Sequence, residues 1–97
     1  MKSIYISGPI TGMPDNNRDA FRKAEVHLSA WYGEVINPNH HSEDPSCPTW
    51  EEFMREDIKL LLQCRSIYML RGWRKSRGAK LEYRIARALK MKVIFEP

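Results

Sequence analysis

Two carboxylates stand where the sequence pattern asks for apolar side chains. Glu82 lies three residues after Ala79 and four before Ala86, inside the apolar stripe of a helix and not opposite it. Asp57 lies three residues after Met54 and four before Leu61, on the inward side of the preceding helix. Placing a carboxylate among packed aliphatic groups costs on the order of several kcal/mol unless it is paired, hydrated or protonated. One such acid is what the edge of a stripe produces; two on consecutive helices point to a pocket. Carboxylates facing one cleft suit chemistry at an anomeric carbon. One attacks or stabilises the oxocarbenium-like centre while the other manages a proton or a sugar hydroxyl. Burial beside a second acid also splits the two ionisations, as those roles need.

Ser76, Arg77, Gly78 and Ala79 form the first turn of the helix that carries Glu82. Free N–H groups, the helix dipole and the Ser76 hydroxyl suit an anion such as phosphate there, and Gly78 lets a ligand approach the backbone closely. Tyr5 lies on an early strand, on the opposite side from Ile4 and Ile6. It is either a core tyrosine or a hydroxyl aimed at the same pocket.

The elements that must position these groups alternate. Residues 2–7 (KSIYIS) read as a strand stopped by Gly8-Pro9, and residues 8–17 as a loop. A helix is predicted over 17–32, with Phe21, Ala24, Leu28 and Trp31 inward and Gly33 as its C-cap. Residues 34–37 (EVIN) read as a second strand, and Asn39 to Thr49 as a polar loop or lid. Thr49, with Glu52 three residues on, caps a helix over 50–63 whose stripe is Trp50, Phe53, Met54, Ile58, Leu61 and Leu62. A third strand (66–70), the turn 71–75, a third helix (76–90, with Ala79, Ile85, Ala86 and Leu89 inward) and a last strand (92–95) complete the chain. This order predicts one α/β domain over residues 1–97. It is a flavodoxin- or Rossmann-like three-layer sandwich around a four-stranded parallel sheet. Ligands in such sheets bind beyond the carboxyl ends of the strands, where strand order reverses. Those ends are Ser7-Gly8-Pro9, Asn37-Pro38 and Leu70 to Ser76.

Composition narrows the function classes. Apolar residues are 42% and charged residues 29% of the 97, as in an ordinary globular domain. No apolar run reaches the roughly 20 residues that cross a bilayer, and the start Met-Lys-Ser has no signal-peptide core. With only Cys47 and Cys64 there is no disulfide framework, and a cytoplasmic setting is expected. Residues 1–70 carry seven basic and ten acidic side chains, a net −3, whereas residues 71–97 carry nine and two, a net +7. The basic end fits phosphate, either on a nucleotide or on nucleic acid.

At this point three motifs resemble one family. Tyr5-Ile6-Ser7-Gly8-Pro9-Ile10-Thr11-Gly12 is similar to the opening of nucleoside 2-deoxyribosyltransferase-like proteins. That group includes the 2′-deoxynucleoside 5′-monophosphate N-glycosidases. Asp57-Ile58-x-x-Leu61 running into Ser66 to Leu70 resembles its second helix and following strand. Ser76-x-Gly78-Ala79-x-x-Glu82 resembles the start of its third helix. The phrases around Trp50 to Ile58 and Met69 to Trp73 look like a small subgroup found in phage and prophage genomes, a domain of unknown function. The resemblance implies that Glu82 is the nucleophile at C1′, Asp57 the acid that helps the base depart, and Tyr5 the residue that orients Glu82. It implies that Ser7, Gly8, Pro9 and Ile10 close over sugar and base, and that Ser76, Gly78 and Ala79 meet the 5′ end. Ser76 stands where transferases of free nucleosides carry an Asp, which would repel a phosphate dianion, so a 5′-phosphate is favoured.

Two positions depart from the pattern: Arg65 replaces an Asp, and Thr11 replaces an Arg of the phosphate-specific hydrolases. The chain also stops at Pro97, where relatives continue into a segment that completes a neighbouring subunit's pocket. The expectation is therefore a nucleotide N-glycosidase or deoxyribosyltransferase, without metal or cofactor, working as a homodimer or larger. Two other readings stay open: a sensor or sponge that binds a nucleotide without turnover, and nucleic-acid binding through the basic end. Against the latter, Arg77, Lys80, Arg84 and Arg87 form a stripe with no base-reading motif. His40, His41, Glu43, Asp44 and Cys47 lack the spacing of a metal site and read as a polar lid. Trp73, between Arg71 and Arg74, either stacks on a base or anchors its turn.

Overall fold

The computed structural model describes residues 2–39 and 49–97. Among these residues four strands and three α-helices alternate: β1 (Ser3–Ser7), α1 (Arg18–Ser29), β2 (Glu34–Ile36), α2 (Trp50–Leu62), β3 (Ser66–Met69), α3 (Arg77–Ala88) and β4 (Lys92–Phe95). All strand pairs are parallel and the sheet order is β2-β1-β3-β4. The chain therefore leaves β1 toward one edge and resumes at β3 on its other side. Strand order reverses between β1 and β3, so a crevice opens there beyond their carboxyl ends.

β1 is buried along its whole length, and its two-residue period divides the core. Ile4 and Ile6 face α1, where Phe21, Ala24 and Leu28 close on them together with Tyr68 and Leu70. Tyr5 faces the other way, into the layer formed by α2 and α3 with Leu61, Ile67, Met69, Ala79 and Ala86. Phe21 is fully buried, worth about 1.5–3 kcal/mol of apolar transfer. Both helix starts on the second face are capped by side chains, α2 by Thr49 as expected and α3 by Ser76, which is the N-cap and not part of the first turn. Thr49 Oγ1 accepts the Glu52 N–H at 3.2 Å, and Ser76 Oγ accepts the Ala79 N–H at 3.1 Å.

The helix ends depart from the sequence pattern. α1 stops at Ser29, three residues short of the predicted end, so Trp31 falls outside the stripe and is 71% exposed. Gly33 is not its C-cap: it begins the approach to β2, its N–H donating to Lys2 O at 3.1 Å. Leu62 and Leu89, both expected inward, are exposed: Leu62 is the last residue of α2 and Leu89 the residue that follows α3. The loop after β1 includes three consecutive left-handed residues, Asp15, Asn16 and Asn17. Asp and Asn tolerate that backbone better than other side chains. The expected lid, with its two histidines and Cys47, lies outside the described residues except at Asn39 and Thr49.

Candidate active site

Glu82 is buried on α3 and is held at both oxygens by β1. Tyr5 Oη donates to Oε2 at 2.6 Å and Ser7 Oγ donates to Oε1 at 2.7 Å. Alternation along one strand makes this possible: residues 5 and 7 share the face that α3 covers. Two short hydrogen bonds to an ionised carboxylate are of the stronger kind and fix its rotamer. Burial pushes the Glu82 carboxyl up to about 7 from an ordinary 4.5, while the bonds from Tyr5 and Ser7 pull it back toward the anion. The Tyr5 hydroxyl is raised well above 10 by its burial and by the charges of Glu82 and Asp57, so it stays a donor.

Asp57 is buried on α2, and its Oδ1 has no hydrogen-bond partner among the described residues. Burial, then the charge of Glu82, then that of Glu56 push its carboxyl up to about 8 from an ordinary 3.8. A buried carboxyl oxygen without a partner costs free energy, and it is relieved by protonation or by a donor from a ligand.

Asp57 and Glu82 line one cavity of about 380 Å³. Of the residues anticipated around the substrate, Gly8, Ile10, Ser76, Gly78 and Ala79 line it as well. Tyr5 and Ser7 do not: they stand behind Glu82 and act on it. Pro9 lines an adjoining outer cavity instead. Pro38, one of the strand ends singled out in the sequence, lines the inner cavity too, whereas Asn16, Trp50 and Phe53 in its wall were not anticipated. The signal at Trp50 and Phe53 was an aromatic helix start broader than a core stripe requires. Asn16 gave no local signal, since its place depends on the left-handed turn.

The two glycines of the site have packing causes. A Cβ on Gly8 would meet Leu70 Cβ at 2.8 Å, so the end of β1 can pass β3 only without a side chain. A Cβ on Gly78 would come within 3.0 Å of Met54 Sδ. Gly78 thus lets α3 approach α2, besides lining the cavity. The Ser76 hydroxyl spends an acceptor lone pair on its helix cap, and its proton remains available for an anion.

Trp73 anchors its turn. Its ring lies 4.6 Å from that of Tyr83 and 5.9 Å from that of Phe95, in an aromatic group at the edge of the sheet. Cys64 is buried, its thiol pushed up to about 11 chiefly by that burial, and unsuited to nucleophilic work. Among the described residues no three His, Cys, Asp or Glu side chains group as metal ligands, and no helix is long and apolar enough to cross a membrane.

Residues 2–95 match the family described as "Domain of unknown function (DUF4406)", and the chain belongs to that family. No curated protein matches it. Among solved structures it is similar to a 2-desoxiribosyltransferase from Leishmania mexicana, with a TM-score of 0.73 and 20% identity. The match covers 98% of this chain and 63% of that one, so the chain spans less than two thirds of the transferase's length. The fold is thus the α/β, flavodoxin-like one that the motifs implied, in its nucleoside 2-deoxyribosyltransferase-like form.

Proposed function

On the premise of that family and fold, we propose that the chain breaks the N-glycosidic bond of nucleoside or deoxynucleoside 5′-monophosphates. The observation that carries this reading is the pair of buried carboxyls on one cavity, one held at both oxygens and the other unpartnered. Their environments separate their roles. Between about 7, where Glu82 ionises, and about 8, where Asp57 does, the first is an anion and the second still an acid.

In this mechanism Glu82 attacks C1′ as the bond to the base breaks. The electron pair of that bond leaves with the base, which takes the proton of Asp57. Tyr5 and Ser7 aim the Glu82 carboxylate and do not touch the sugar. Water then adds at C1′ of the glycosyl ester and passes a proton to the Asp57 carboxylate. The products are the sugar 5-phosphate and free Glu82. A second base in place of that water would give transfer. Ser76, on the cavity wall, takes the 5′-phosphate. The resemblance to nucleoside 2-deoxyribosyltransferases, and the exposed side chains of Val26, Trp31 and Leu62, support a homodimer or larger assembly.

The test is base release from a panel of nucleosides, deoxynucleosides and their 5′-monophosphates, followed chromatographically with wild-type protein and Glu82→Ala. The expected result is release from at least one monophosphate by wild-type protein only. Tight binding with every nucleotide recovered intact would replace catalysis by sensing or sequestration, and would overturn the proposal.

A further inference from the structure

Beside the acidic inner cavity lies a second, outer one of about 480 Å³, and the two share Thr11, Gly12, Trp50, Ser76 and Gly78 as a common rim. Their charges are opposite. Among the described residues the inner wall carries Asp57 and Glu82 and no cation, and the outer wall carries Arg71, Lys75 and Arg77 and no carboxylate. Among the described residues none of these three cations forms an ion pair. The nearby Glu96 spends an oxygen on the Arg71 backbone N–H, at 2.8 Å, and forms no ion pair with the guanidinium. The Arg77 guanidinium lies 3.8 Å from the centre of the Trp50 ring, on the shared rim, and is held there by the π face.

From this we infer that the outer cavity binds a second phosphoryl group, so that the preferred ligand of the joined cavities carries a pyrophosphate unit on its 5′ carbon. Charge decides the point. Three cations without an ion pair among the described residues line the outer cavity, and one phosphomonoester brings about −1.5 to −2 at neutral pH. A second phosphoryl group supplies the balance and reaches the cations contributed by the turn before α3. The unit is either the chain of a nucleoside diphosphate or the bridge of a dinucleotide. The inference rests on the reading of the inner cavity as a nucleotide site, but its test does not use turnover.

Calorimetry with inorganic pyrophosphate and inorganic phosphate, at low salt, tests it on wild-type protein and on an Arg71→Gln/Lys75→Gln double variant. Pyrophosphate should bind wild-type protein about tenfold more tightly than phosphate, and the double variant should lose that preference. Equal binding of the two anions by wild-type protein, or a preference that survives in a double variant with an unchanged circular dichroism spectrum, overturns it. Displacement of pyrophosphate by a nucleoside diphosphate alone identifies the terminal phosphate as the source. Displacement by a pyrophosphate-bridged dinucleotide alone identifies the bridge, and displacement by neither overturns the inference. A pyrophosphate preference in a protein that releases no base would sink the glycosidase and leave this site standing. Base release without that preference would do the reverse.

Discussion

On one face of the sheet, Ile4 and Ile6 meet Phe21, Leu28, Tyr68 and Leu70 in a closed apolar layer. On the other face, Tyr5 and Ser7 of the same strand meet a buried carboxylate, and a cavity opens beside it. One strand thus serves both, through side chains that alternate every residue. The first face is apolar apart from the Tyr68 hydroxyl and contributes stability. The second keeps two carboxyls out of water, at a cost that its hydrogen bonds only partly offset. Function and stability are therefore separable by face, and substitutions on each should fail in different assays.

The largest expected effect is on the polar face. Glu82→Gln keeps the shape of the side chain and removes the proposed nucleophile, so the proposed base release should fall by about a thousandfold or more. Its urea midpoint at pH 8 should hold or rise, because a buried charge is gone. A variant that unfolds readily would show that Glu82 serves the core. Phe21→Ala is the converse. It should lose about 3–5 kcal/mol in urea titration while the folded fraction keeps its turnover within about threefold. A loss of turnover beyond the loss of folded protein would mean that the faces are coupled.

The comparison sharpens with pH. Both carboxyls have folded values raised above their ordinary ones, so the folded state binds more protons than the unfolded state between about 4 and about 8. Their contribution is therefore fully present near pH 4 and is lost as pH rises through about 7 and about 8, by on the order of a few kcal/mol in total. Asp57→Asn should flatten much of that slope and stabilise the protein at pH 8.5, as read from urea titrations at pH 5, 7 and 8.5. A slope unchanged by Asp57→Asn would place the titration elsewhere. The smallest effects are expected from Tyr5→Phe and Ser7→Ala, each lowering base release by about ten- to a hundredfold through one lost hydrogen bond to a charged group. Each should also move the acid limb of the rate profile to higher pH, because the donors favour the Glu82 anion. An unmoved limb would mean that these hydroxyls only pack.

How much of this was legible in the sequence follows from the kind of signal each residue leaves. Glu82 and Asp57 could be found because a carboxylate inside an apolar stripe violates a local period, and Tyr5 because strand alternation puts it opposite Ile4 and Ile6. The cap at Thr49, with Glu52 three residues on, is a local pattern and was readable. Trp31, Leu62 and Leu89 were misplaced because the period of a stripe can be counted up to and past the point where the helix ends. Ser7 was expected over the substrate, yet its partner is Glu82, seventy-five residues away along the chain. Pro38 and the basic residues after β3 were marked by their place at strand ends, but the inner wall at Asn16 and the shape of the outer cavity depend on how separate loops meet and leave no periodic trace.

The central claim is that Glu82 forms a covalent ester to the sugar. Its most direct test is the intact mass of the protein quenched during reaction with a 2′-fluoro-2′-deoxynucleoside 5′-monophosphate, whose fluorine slows breakdown of the ester. The account predicts one added sugar-phosphate per chain, mapped by peptide analysis to Glu82 and absent from Glu82→Gln. Base release with no adduct, or an adduct carried by any other residue, would contradict it.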